Sequence, residues 1–276
     1  MPFRSVKDDI YALPATKKLI GQLVVASIVV IKSGVKITNV HGFMGFSSIP
    51  EWLSIALSIF TIIVIINSFN LIDGINGLSG SIAFIVSLSL GTWFYLVHHT
   101  GLAIMAYSLA GAVLAFLKYN FTPARIFMGD TGALLLGLML SILVIKFIEI
   151  NEQIIGKDRF AIHAGPAVAI GTLILPLFDT LRVFIIRILR GRSPFSPDRL
   201  HIHHLLIDSG LSHMQATGIL VFVNISFIAL VLLLQDIGTF PLIALIISIA
   251  WLLSLMLQRA VKRQKLPLRH GLSSQQ

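Results

Sequence analysis

The chain has 276 residues, of which 56% are hydrophobic and only 12% charged, with a mean hydropathy of +0.91. A soluble globular domain carries about twice that charge, so the composition excludes a soluble fold and points to an all-α, polytopic helical membrane protein. The formal net charge of +9 would suggest a nucleic-acid partner in a soluble chain, but in a membrane protein the bias of Lys and Arg toward one side explains it better, and no nucleic-acid partner is expected.

In chain order, residues 1–18 are mixed and charged, with no apolar core followed by a small-residue cleavage site, so no cleavable signal peptide is evident. Apolar runs long enough to cross about 30 Å of hydrocarbon follow at roughly 19–33, 51–67, 80–98, 102–117, 131–148, 164–186, 217–235 and 240–258. These make about eight transmembrane helices in one domain, residues 1–258. The run at 102–117 is short and is expected to extend past Lys118. Residues 259–276 read as a disordered basic cytoplasmic tail. Placing the N-terminus inside puts sixteen of the 21 Lys and Arg residues on the inner side and five on the outer side. Both termini are therefore expected in the cytoplasm. No Cys is present, which removes any disulfide framework or thiolate metal site.

With this topology, four polar stretches fall on the cytoplasmic face. The first holds the adjacent pair Asp8-Asp9. Two neighbouring carboxylates either share a raised pKa, hold a cation between them, or form a solvated turn. The second runs from Asn67 to Gly80. Asn67, Asn70 and Asp73 recur every third residue, so a helix end stacks neighbours of this series over one another, and glycines at 74, 77 and 80 let the backbone turn or approach a ligand. A plain helix stop between two spans is the simpler reading.

The third stretch is Pro123 to Gly132. Asp130, between glycines and just before an apolar run, is placed like a helix N-cap. It is equally placed as a ligand for a hard cation, since Mg²⁺ takes one or two carboxylates together with substrate phosphates. Arg125 nearby suits a phosphate as a bidentate partner. The fourth stretch, Ser193 to His204, packs Asp198, Arg199, His201, His203 and His204 onto a Pro-rich loop. Clustered His suits zinc, a pyrophosphate or nucleotide, or a solvated basic loop. Asp179, near the inner end of the sixth run, lies three residues before Arg182. It reads either as a helix-face ion pair or as a functional intramembrane acid. His98, His99 and His163 fall at the other side and read as interfacial and non-catalytic.

Together, Asn67-x-x-Asn70-x-x-Asp73-Gly-x-x-Gly-Leu, Pro123-Ala-x-x-Phe-Met-Gly-Asp130-x-Gly132 and Pro197-Asp198-Arg199-x-His201-Ile-His203-His204 resemble the motifs of the polyprenyl-phosphate N-acetylhexosamine-1-phosphate transferases, glycosyltransferase family 4. Lys7-Asp8-Asp9-Ile10-Tyr11 resembles the family's acidic-pair motif. The His loop is closest in form to the bacterial undecaprenyl-phosphate N-acetylglucosaminyl-1-phosphate transferases. The resemblance runs from about residue 5 to about residue 215, with four motifs in the family's order.

The resemblance implies a bacterial inner-membrane enzyme with its active site on the cytoplasmic face. Such an enzyme moves N-acetylhexosamine-1-phosphate, with GlcNAc-1-phosphate the first choice, from a UDP-sugar to undecaprenyl phosphate and releases UMP. This would be the first membrane step toward O-antigen, a common antigen, capsule or teichoic acid. Mg²⁺ is the implied cofactor, with Mn²⁺ as substitute; a homodimer is left open. By motif position, Asp8 and Asp9 would bind Mg²⁺ indirectly or act as base on the lipid phosphate, and Asp130, with Asp73, would ligate the metal. Asn67, Asn70 and Asn76 would shape the nucleotide pocket. Arg125, Arg199, His201, His203 and His204 would hold diphosphate or sugar.

Two departures stand out. Asn76 replaces a second acidic residue common in the family. The family's usual two or three spans before the acidic pair are also missing, since this chain begins almost at the pair. The alternative reading is a truncated, partner-dependent protein that binds polyprenyl lipid without catalysis. A transporter would show broken spans paired between two halves, and no such repeat is found.

Overall fold

The computed structural model describes residues 15–43, 46–193 and 200–270. Among these the fold is all-helical apart from one short hairpin. Ten helices follow in order: α1 (Ala15–Ser33), α2 (Glu51–Ile72), α3 (Leu78–Leu96), α4 (Thr100–Asn120), α5 (Gly129–Ile154), α6 (Gly165–Thr172), α7 (Ile174–Leu189), α8 (Ile202–Asp208), α9 (His213–Leu233) and α10 (Thr239–His270). The hairpin pairs β1 (Asn39–Phe43) with β2 (Phe46–Ser48) between α1 and α2, with Asn39 opposite Ser48 and Phe43 opposite Phe46.

Six of the helices, α2, α3, α4, α5, α9 and α10, are long and apolar enough to cross a membrane, and the α6–α7 pair brings the number to up to seven. The expected count of eight is not reached on this measure, because the nineteen residues of α1 include Lys17, Lys18 and Lys32. As expected, α4 extends past Lys118. Residues 259–270, the start of the stretch read as a tail, continue α10. Large apolar side chains stay exposed all round the bundle, among them Trp52, Phe60, Leu135, Phe222 and Leu233. This is the surface that a hydrocarbon solvent requires.

The sixth run is not one straight helix. It bends by 79° at Leu173, between α6 and α7. Pro176 lacks the N–H that would bond to the Thr172 carbonyl four residues back, and its ring crowds that turn. In an apolar setting a freed carbonyl needs a partner. Asn224, fully buried in α9, donates its Nδ2 to the Thr172 oxygen at 3.2 Å.

Packing fixes two polar ends. Helices α2 and α5 cross closely at Gly137, where a Cβ would lie 2.6 Å from the Ile66 Cα. This approach sets the C-terminal end of α2 beside the N-terminal end of α5. α1 joins the same seam through Ala26 and Val30, which pack with Ile62, Ile66 and Ile145. Helices α3 and α4 form an antiparallel pair that begins beside Asp73 and returns to Asn120. One end of the bundle thus gathers the termini that carry the polar motifs. The other end gathers the hairpin, the α3–α4 turn and the α5–α6 loop.

Candidate active site

The motif on α2 stacks as its spacing predicts. Asn67 and Asn70 lie on the last turns of the helix and Asp73 is its C-cap. Asn67 and Gln22 exchange carboxamide hydrogen bonds at 2.8 and 3.3 Å, and Asn67 also donates to the Ile63 carbonyl at 2.8 Å. One turn on, Asn70 donates to Asp130 Oδ1 at 3.2 Å. The second Asp130 oxygen takes the ammonium of Lys18. Lys18 and Gln22 are four residues apart, so one face of α1 serves both contacts.

Asp130 is not a helix cap. The N-cap of α5 is Met128 and makes no side-chain cap. Asp130 instead sits in the first helical turn, where the helix dipole favours a carboxylate. Its oxygens point across to α2 and α1.

Past α2 the chain turns tightly into α3. Ser79 Oγ donates to Asp73 Oδ1 at 2.5 Å. Burial pushes the Asp73 carboxyl up to about 6, against the lowering effect of the Ser79 hydroxyl. Asn76 does not face the carboxylates; its Nδ2 donates to Thr122 Oγ1 at 3.0 Å, and its carbonyl accepts from Thr217 at 2.8 Å. Buried Asn120 accepts from the Gly77 N–H at 2.7 Å and donates to the Ile126 carbonyl at 2.9 Å, tying this turn to the α4–α5 loop. Arg125 lies on that loop with its side chain exposed.

The His-bearing helix α8 is anchored from α7. Asp179, 2% exposed on α7, contacts His201 Nδ1 through Oδ2 at 2.9 Å and accepts the Ile202 N–H on Oδ1 at 3.0 Å. It thereby holds the ring and satisfies the first N–H of α8, a donor without an intrahelical partner. Arg182, 1% exposed, bonds to Asp179 at 3.2 Å and to the Leu200 carbonyl at 2.8 Å. The helix-face pair read from the sequence is therefore present, and the same carboxylate also carries the His loop. A carboxylate on Nδ1 fixes the proton there and turns Nε2 away from Asp179.

His203 is the innermost of the three, 1% exposed. Its ring stacks with that of His201 at 5.7 Å and lies 4.3 Å from that of His204. Neither of its ring nitrogens has a hydrogen-bond partner among the described residues. Burial lowers its pKa to about 4, with His204, His201 and His213 adding to the effect and Asp179 opposing it. His203 is therefore neutral at pH 7. Its Nε2 lies where a Cβ on Gly74 would be 2.3 Å away, so only glycine lets the Asp73 turn meet the His helix.

Of the residues expected at the site, Asn67, Asn70, Asp73, Asp130, His201, His203 and His204 gather at one end. Asn76 is a loop tie and Arg125 stands apart. Asp8, Asp9 and Arg199 lie outside the described residues. No group of three or more His, Asp or Glu among the described residues forms a ready metal cage. Asp130 and Asp73 bring carboxylate oxygens to the same end of the bundle, a donor type that suits a hard cation whose shell is completed by phosphate and water. Lys18 sets a positive charge on Asp130 already.

Sequence reading missed Lys18, Gln22, Ser79 and Asn120. Gln22 carried a signal, as a carboxamide inside an apolar run. Lys18 carried none beyond its charge.

Residues 1–148 match the family model described as glycosyl transferase family 4. Over 235 residues the chain is 34% identical to the decaprenyl-phosphate N-acetylglucosaminephosphotransferase of Mycolicibacterium smegmatis, covering 80% of this chain and 57% of that protein. It is 34% identical over 234 residues to a probable undecaprenyl-phosphate N-acetylglucosaminyl 1-phosphate transferase of Bacillus subtilis, covering 80% and 60%. It is 31% identical over 164 residues to the undecaprenyl-phosphate alpha-N-acetylglucosaminyl 1-phosphate transferase of Escherichia coli, covering 58% and 42%. The chain thus spans roughly half the length of these relatives. With the family model covering more than half of its residues and the motifs meeting at one end of the bundle, the chain belongs to glycosyl transferase family 4.

Proposed function

We propose that the chain transfers N-acetylglucosamine-1-phosphate from UDP-N-acetylglucosamine to undecaprenyl phosphate, with release of UMP, at the cytoplasmic face of a bacterial inner membrane. The observation that carries this reading is that one short stretch, Asn70 to Gly74, reaches both other motifs: Asn70 bonds to Asp130, and Gly74, next to Asp73, lies against His203. Carboxylates and imidazoles from motifs more than a hundred residues apart share one polar end. The relatives' names supply the substrate class.

The acceptor phosphate is already an anion, so the barrier is charge repulsion at the phosphorus under attack. Asp130 and Asp73 would hold Mg²⁺, or Mn²⁺ in its place, and the ion would offset charge on the diphosphate and the departing UMP. Lys18 holds the Asp130 carboxylate in place beside Asn70. His201, fixed through Nδ1, presents Nε2 for a phosphate or sugar oxygen. His203 stays neutral, and its unpaired ring nitrogens fit a ligand site, where buried orphan donors recur.

An apolar cavity of about 190 Å³ supports the lipid part of the reading. It lies behind the His helix, lined by Phe178, Leu206, Leu220, Phe227 and Leu253 among others. Phe178 adjoins Asp179, and Leu206 is on α8 with His203. An isoprenoid chain lying there would bring its phosphate toward the polar end.

The test is UMP release from UDP-N-acetylglucosamine by the purified chain in the presence of undecaprenyl phosphate and Mg²⁺. Turnover that stops with EDTA supports the proposal. A bound polyprenyl phosphate without any turnover would support the alternative of a lipid-binding, partner-dependent protein.

A further inference from the structure

At the end of the bundle opposite Asp130 lies a polar cleft of about 550 Å³ between the α3–α4 turn and the α5–α6 loop. Tyr95, His98 and Thr100 line one wall, and Lys157, Arg159 and Phe160 line the other. The second wall is held on three sides. Asn151, fully buried, pins Ile162 through both its N–H and its carbonyl, at 2.8 and 2.7 Å. Trp93 Nε1 donates to the Phe160 carbonyl at 3.0 Å. Asp158 Oδ1 accepts the Phe160 N–H at 2.8 Å. The loop therefore presents its cations from a fixed backbone.

Those cations differ from others at this end. Lys36 pairs with Glu51, Lys146 with Glu149, and His163 with Asp236. Lys157 and Arg159 have no carboxylate at ion-pair distance among the described residues. Lys157 uses one donor on the Gln153 carbonyl. Arg159 lies over the Phe160 ring at 4.6 Å, which leaves its guanidinium edge free to donate. Asp158 is the one acidic residue of the lining, and one of its oxygens is already engaged. Across the cleft, His98 adopts φ +64, a left-handed conformation uncommon outside glycine, and strain of this kind clusters at binding sites.

The depth of the cleft indicates its occupant. Tyr95 is 64% exposed at the end of the apolar helix α3, and tyrosines at such positions mark the headgroup level of a bilayer. At that level the abundant anion is a lipid phosphate. We propose that this cleft binds the phosphate of an anionic phospholipid headgroup in the leaflet opposite the Asp130 site, with Arg159 and Lys157 as the charged contacts.

The full chain in nanodiscs of equal phosphatidylglycerol and phosphatidylcholine, released into a mass spectrometer with its lipids, tests this. Phosphatidylglycerol should be retained in preference. Each cation near the headgroup is worth roughly fivefold, so Lys157→Gln/Arg159→Gln should reduce the preference by an order of magnitude or more. Arg159→Lys should keep most of it, and Lys36→Gln, at a residue already paired with Glu51, should leave it unchanged. Equal retention of both lipids by the unaltered chain would overturn the proposal, as would a preference that survives the double substitution. Displacement of the retained lipid by excess inorganic phosphate would assign the cleft to a soluble phosphate, and so would also overturn it.

Discussion

The two ends of the bundle both carry ionisable groups but treat them in opposite ways. At the Asp130 end, Asp179, Arg182, Arg187, His201 and His203 are each no more than 5% exposed. At the other end the His163–Asp236 pair is wet, its side chains exposed by 66% and 77%. A surface pair of that kind contributes about 0–1 kcal/mol, whereas breaking a buried pair costs about 3–5 kcal/mol. Among the described residues, the most deeply buried ionisable groups thus lie at the Asp130 end. Strongly buried ionisable groups cluster at functional sites, in keeping with the proposed transfer.

The sharpest way to break this contrast is at Asp130. Asp130→Asn should lower transfer by roughly 10²–10³-fold or more while the protein still inserts, as followed by UMP release and by yield in the membrane fraction. Next comes Asp179. Asp179→Asn removes the charge that holds His201 and faces Arg182, so transfer should fall by roughly 10–100-fold, with a lower melting temperature and a shifted pH profile. A change in melting temperature alone would make Asp179 a purely structural residue.

A smaller effect distinguishes Asp73 from His203 by sign. The folded Asp73 carboxyl titrates at about 6, above its ordinary 3.8. The folded state therefore binds more protons than the unfolded state in that window, and this contribution to stability is lost as pH rises through 6. His203 runs the other way. Its pKa of about 4, against an ordinary 6.5, gives stability that is present above 6.5 and lost as pH falls toward 4. In EDTA the two offset each other between pH 4 and 6. Asp73→Asn should therefore raise the melting temperature at pH 7 more than at pH 5, and should leave a steeper loss on acidification. His203→Gln should remove that loss. The smallest effect belongs to the wet end, where His163→Ala should leave transfer within about threefold, as expected of an exposed pair.

What the sequence made legible follows from what is local. Apolar run lengths located the helices, and three-residue spacing placed Asn67, Asn70 and Asp73 on one helix end. The break at Leu173 was half legible. Pro176 lies in the run, but the partner that stabilises the freed carbonyl is Asn224, some fifty residues later. The Asp179–Arg182 pair was local and readable; its grip on His201, across 22 residues, was not. Lys18 looked like one more positive charge, and only the packing of α1 on α2 brings it to Asp130. Arg125 lies near Asp130 in sequence, yet its side chain stays exposed on the α4–α5 loop.

One measurement tests the asymmetry between the ends most directly. UMP release would be compared, in the same membrane preparation and at equal protein, between Asp130→Asn and His163→Ala. Transfer should be lost in the first and stay near normal in the second. Comparable rates in the two variants would contradict this asymmetry.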